Sequence, residues 1–195
     1  ASGEIDANSY QHEPFLQAYN ANNKTDLVVA GKTYLAPLAL YSKKIKSASE
    51  IKDGATIAIP NDPSNGGRAL QLLAKQGWIE LKPDVPATKV TKADITKYVK
   101  KIKIVEIEAP QLPRALPDVA AAAVNGTYAR PAGLSIAKQS VLVESAKGSA
   151  YANVLVVRTA DKNKPWVKTF IKAYHQPNVK AFIEKRFGDS TFPAW

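Results

Sequence analysis

The chain has 195 residues, 45% of them hydrophobic and 23% charged, with a net charge of +10 and no cysteine. That length and apolar content suffice for one ordinary domain or two small lobes with a buried core, and they exclude wholesale disorder. Without cysteine there is no disulfide framework, thiolate zinc site, iron–sulfur cluster or cysteine nucleophile, and apolar runs such as 35–40 and 119–124 fall far short of a spanning helix.

The chain contains no methionine and opens on Ala1-Ser2-Gly3-Glu4, with neither a charged n-region nor an apolar signal segment, so its start reads as a cut. Strand-like runs then alternate with helix-like stretches. Residues 27–31 follow a polar turn at 22–24, and 56–60 form a short apolar run closed by Pro60. Between them Ser47 and Glu50 have capping-box spacing and open a helical turn that Gly54 ends. Residues 67–75 read as a helix with Leu70, Leu73 and Ala74 on one side, stopped by Gly77. Further strands are expected at 102–108, 119–124 and 154–157. Pro165 suits a first helical position, and Trp166, Phe170 and Tyr174 recur every four residues, which predicts a buried stripe. After the break at Gln176-Pro177, Val179, Phe182, Ile183 and Phe187 make a last apolar face. This alternation predicts an α/β fold with a mostly parallel sheet.

The positive charge alone would suit a nucleic-acid binder, but the densest lysine clusters, 43–46 and 97–103, are interleaved with apolar residues, as on the wet side of a strand or helix edge. No aromatic RNA-binding motif or zinc-finger spacing accompanies them, so no nucleic-acid partner is expected. Catalytic chemistry is equally thin. His175 suits the end of a helix, and His12 alone is more often a structural hydrogen-bonder than a base. There is no Gly-x-Ser-x-Gly elbow and no His–carboxylate cluster for a metal, so neither an enzyme, a metal nor a cofactor is expected.

The segment from Asn61 to Leu70 carries more information. It lies between a strand and a helix, where backbone N–H groups and the positive dipole end favour an anion. Gly66 and Gly67 permit close approach, and Arg68 offers a fork matching a carboxylate. No Lys-Ser or Lys-Thr follows, which disfavours a nucleoside triphosphate. The alternative is a polar loop with a solvated arginine. Asn125 and Asn153, at strand ends, could add neutral donors and acceptors or simply be turn residues.

Taken in order, several segments resemble the MetQ/NlpA family of methionine-binding lipoproteins, the substrate-binding subunits of bacterial ABC importers. They are Gly3-Glu4-Ile5-Asp6-Ala7-Asn8 running into Gln11-His12-x-Pro14-Phe15-Leu16, residues 41–47, residues 52–63, and Gly67-Arg68-Ala69-Leu70. Gln111-Leu112-Pro113-Arg114-Ala115-Leu116, Val124-Asn125-x-x-Tyr128-Ala129 and Tyr151-Ala152-Asn153-Val154 complete the set. The resemblance implies a two-lobed periplasmic binding protein of type II-like architecture, with lobe 1 at 1–45 and 150–195 and lobe 2 at 46–149. It implies that one small ligand, methionine of either hand or a related amino acid or dipeptide, is clamped between the lobes and passed to ABC permease and ATPase subunits. It also implies that Arg68 pairs with the ligand carboxylate, that Asn125 and Asn153 bond the amino-acid head group, and that Tyr10, His12 and Phe15 line the side-chain pocket. Positions 10 and 15 hold Tyr and Phe where many members carry other aromatics, which keeps an aromatic wall but moves the hydroxyl.

Family members carry a strand, a helix and a second strand before the Gly-Glu-Ile-Asp-Ala-Asn segment, and a lipid-modified cysteine upstream. Lobe 1 is therefore expected to be incomplete here, with the periplasmic lipid anchor upstream of Ala1; its open strand edges are a strand-exchange hazard, to be covered either by the preceding segment or by another chain. The same fold would also suit a surface adhesin or structural lipoprotein with little role in transport.

Overall fold

The computed structural model describes residues 2–195, which form two compact units. Among the described residues the first comprises 2–36 and 145–195 and the second 37–144, so the chain passes out at Ala36/Pro37 and returns at Glu144/Ser145. In chain order, the first unit supplies β1 (Ala7–Asn8), α1 (Glu13–Asn23), β2 (Val28–Lys32) and β3 (Tyr34–Leu35). The second supplies β4 (Leu38–Tyr41), β5 (Thr56–Pro60), α2 (Pro63–Lys75), β6 (Ile79–Leu81), β7 (Ile95–Tyr98), β8 (Lys103–Ile107), α3 (Leu112–Ala115), β9 (Ala121–Asn125), α4 (Gly126–Ala129), α5 (Ile136–Gln139) and β10 (Ser140–Val143). Back in the first unit come β11 (Val154–Val157), α6 (Pro165–Tyr174), α7 (Pro177–Phe187) and β12 (Phe192–Pro193). No helix among the described residues is long and apolar enough to cross a membrane.

The second unit is built on a five-stranded sheet in the order β10-β4-β9-β5-β8. The sheet is mixed rather than mostly parallel as predicted: β5 runs parallel to β8 and β9, whereas β4 is antiparallel to both β9 and β10. Helical crossovers between β5, β8 and β9 impose the parallel half. Both faces are covered, so its central strands read as continuous apolar runs rather than alternating ones. Leu38, Leu40, Ile57 and Ile59 point into one core with Leu70, Leu73 and Trp78. Ala39, Tyr41, Ala58, Ala122 and Val124 point into the other, with Leu112 and Leu116 of the α3 turn. Each large aliphatic side chain fully buried here contributes about 2–3 kcal/mol. The sequence reading divides the chain at 45/46 and 149/150. In the structure residues 37–45 group with the second unit because β4 pairs with β9 and β10, and 145–149 group with the first.

The first unit holds a three-stranded sheet, β1-β11-β2, antiparallel throughout. Leu16 of α1 packs on Val154 and Val156, flanked by Leu27 and Val29. The α6 helix starts at Pro165 as predicted, but its aromatic stripe is not buried: Trp166 is 36% and Phe170 43% exposed. The residues that seat this helix lie one position on, Val167, which is buried, and Ile171, whose Cδ1 would stand 2.6 Å from a Cβ at Gly31. Phe170 stacks on Tyr174, and His175, which caps the helix end, stacks on Trp195 with ring centroids 4.8 Å apart.

The N-terminal segment is tied down by charge. Arg158 Nη2 donates to Asp6 Oδ1 at 2.8 Å, its Nη1 to the Ile5 carbonyl, and its Nε to Asp161 Oδ2 at 2.6 Å. Asp161 also takes Lys164, and its carboxyl is held below the usual aspartate range by hydrogen bonds from Lys164 and then Arg158, against the opposing effect of burial. Because the folded-state value lies below the unfolded one, this stabilisation is complete above the ordinary aspartate range and is lost as pH falls through the depressed value. Asp161→Asn is therefore expected to lower the melting temperature at pH 7. Melts over a pH series should show the gap to wild type closing as pH falls through the aspartate range. A gap that stayed constant with pH would contradict the ionic origin.

Candidate functional site

In the second unit the site is organised by the start of α2. Asp62 is the N-cap: its Oδ2 accepts from the Asn65 N–H at 2.9 Å and from the Ser64 hydroxyl, and Pro63 fills the first helical position. The helix thus begins four residues before the predicted Gly67. Its positive end carries a protein carboxylate, that of Asp62. The two glycines are close-packed against backbone. A Cβ at Gly66 would lie 2.9 Å from the Pro60 carbonyl oxygen, and one at Gly67 only 2.4 Å from that of Val90.

Arg68 sits on the next turn, 4% exposed. Its Nε donates to Glu144 Oε2 at 2.7 Å and its Nη2 to Glu144 Oε1, a side-on fork that fixes the guanidinium plane. Three residues earlier on the same helix, Asn65 donates to Asp62 and accepts from Asn125 Nδ2 at 2.7 Å. Asn125 ends β9, the strand next to β5, from which α2 departs. With its amide nitrogen committed to Asn65, its buried Oδ1 has no hydrogen-bond partner among the described residues. A buried acceptor without a donor costs free energy, and an ammonium group would satisfy it. Arg68 and Asn65, the partner of Asn125, thus stand three residues apart on α2, and the structure adds Asn65 and Glu144, which sequence reasoning did not single out. The i, i+3 spacing of Asn65 and Arg68 was a usable signal; nothing local pointed to Glu144.

In the first unit His12 and Asn153 are cross-strand neighbours, joined by an isolated antiparallel bridge. His12 is buried and caps α1, its Nδ1 accepting from the Phe15 N–H at 3.1 Å. Its ring meets Tyr151 edge-on at 5.1 Å and Phe15 at 6.2 Å. Asn153 is held on both sides, donating its N–H to the Tyr34 carbonyl at 2.7 Å and accepting from the Thr33 N–H. Burial pushes the Tyr34 hydroxyl above the usual tyrosine range, partly offset by a hydrogen bond with the Asn153 side chain. Tyr10, 58% exposed, lies edge-on to Phe15 at 6.1 Å. Together with Asn8, Leu16 and Tyr19 these two rings line a small pocket of about 80 Å³ within this unit, whose lining does not include His12. Tyr151 and Tyr34 are further members of this cluster that the sequence reading left out.

These two clusters bear the chemistry of small-molecule recognition: a forked cation, neutral amides and aromatic walls. The sequence profile of the NlpA lipoprotein family matches residues 1–195. The chain is 45% identical over 197 aligned positions to the D-methionine-binding lipoprotein MetQ of Salmonella typhi, covering all of this chain and 72% of that protein. Among solved structures it is similar to a nutrient binding protein from Burkholderia cenocepacia bound to methionine, with TM-score 0.95 and 46% identity over all of this chain and 81% of that one. It is likewise similar to an ABC transporter periplasmic substrate-binding protein from Coxiella burnetii, with TM-score 0.94, 46% identity and the same coverage. The chain belongs to the NlpA lipoprotein family and has the α/β fold of its periplasmic substrate-binding members.

Proposed function

We propose that this NlpA-family chain binds methionine, of either hand, or a close relative such as a methionyl dipeptide, and delivers it to an ABC permease and its ATPase in the cell envelope, where a lipid anchor would hold it. The observation that carries the reading is the likeness, over all of this chain, to a methionine-bound protein at TM-score 0.95. The chemistry of the two clusters supports it. A zwitterion needs a forked cation for its carboxylate, which Arg68 supplies, and acceptors for its ammonium, which Asn125 and Asn153 supply. A thioether is apolar and polarisable and favours aromatic walls, here Tyr10, His12 and Phe15. No step in this function makes or breaks a covalent bond, so the chain acts as a receptor and not an enzyme.

Calorimetric titration with L-methionine, D-methionine and methionylglycine tests the reading. Saturable heat with at least one of them is expected, at a Kd of micromolar or below. No heat with any of the three would overturn the ligand assignment.

A further inference from the structure

The Arg68–Glu144 pair carries a consequence for selectivity, resting on the methionine reading above. Arg68 is buried on α2, and a buried guanidinium without a counter-charge is costly. Glu144 supplies that counter-charge from within the second unit. Its backbone N–H donates to the Leu38 carbonyl at 3.0 Å, which fixes the residue just beyond the β4/β10 pairing, and its own side chain is 13% exposed. The side-on fork engages Nε and Nη2, so the cation is both oriented and neutralised before any ligand arrives. A ligand carboxylate reaching Arg68 therefore meets a pair of zero net charge, and its arrival leaves one uncompensated negative charge in a poorly hydrated place. An accompanying ammonium removes that excess, and the buried Asn125 Oδ1 lies in the same unit as an acceptor for it.

We propose that Glu144 is a specificity-determining residue: by pre-neutralising Arg68 it makes the site select zwitterions over simple carboxylates. A bare Arg68 would accept any carboxylate of suitable shape. The pair Arg68–Glu144 accepts a carboxylate well only when a cationic group comes with it.

The test compares L-methionine with 4-(methylthio)butanoate, the same molecule without its amino group, by titration of wild type and of Glu144→Gln. Wild type is expected to prefer methionine by at least about 100-fold, two lost charge-assisted contacts being worth that much. In Glu144→Gln the preference should shrink at least about tenfold, chiefly because the des-amino acid binds better. Glu144→Asp keeps the charge and should keep the preference; it also serves as the working variant if the glutamine form does not fold. A preference unchanged in Glu144→Gln, or one that collapses in Glu144→Asp, would overturn the inference. A merely structural Glu144 would move melting temperature and both affinities together and leave their ratio untouched. Wild type binding neither ligand would instead sink the methionine reading itself.

Discussion

Arg68→Ala is expected to weaken methionine binding at least about 100-fold, the largest loss for any single side chain in the proposed site. Removing one member of a buried, hydrogen-bonded charge pair typically costs about 2–5 kcal/mol, and each 1.4 kcal/mol is a factor of ten. The same change strands Glu144, whose side chain is only 13% exposed, so thermal stability should fall as well, by about 2–4 kcal/mol. Arg68→Lys separates the two effects. It retains the charge opposite Glu144 but cannot reproduce the Nε/Nη2 fork, so stability should largely recover while affinity stays about tenfold or more below wild type. Titration calorimetry alongside thermal melts of both variants reads this out. Wild-type affinity in the alanine form would remove Arg68 from the site.

The second large effect is structural. Gly67→Ala should destabilise the protein by about 2–4 kcal/mol although alanine is the better helix former by about 1 kcal/mol. The added Cβ would fall 2.4 Å from the Val90 carbonyl oxygen and 3.3 Å from its carbon, and both are backbone atoms that cannot swing aside. Val90 is itself buried in the core that holds Leu70, Leu73 and Trp78, so the whole segment would have to shift. The measured melting temperature should drop by roughly 4–16 °C. Gly66→Ala, with its nearest contact at 2.9 Å, should cost less. An alanine variant at 67 as stable as wild type would show that the 87–90 segment yields easily and that the glycine is not there for packing.

How much of this was legible in the sequence depends on whether the determining contacts are local. The strands at Thr56–Pro60 and Val154–Val157 were readable because both lie in sheet centres, where burial on two faces produces an unbroken apolar run. Pro165 marked its helix start for an equally local reason. The stripe of Trp166, Phe170 and Tyr174 shows the limit. Its periodicity identified a face of α6, but which face is covered is decided by β2, where Gly31 leaves room for Ile171, far away in the sequence. The same limit applies to the glycine pair, whose close approach is to the chain's own carbonyls. It applies most of all to Glu144, which stands 76 residues from Arg68. An arginine after a strand end announces a possible carboxylate; only the fold reveals that one carboxylate is already there. Asn65 lay inside the segment singled out, but its role depends on Asn125, 60 residues on.

The most direct measurement of the central claim is a crystal structure of this chain grown with L-methionine. The ligand carboxylate should lie within about 3 Å of the Arg68 guanidinium, with Glu144 still on the Nε side, and the ammonium should donate to Asn125 Oδ1. Methionine bound with its carboxylate away from Arg68, or an Asn125 Oδ1 left without a donor in the complex, would contradict it.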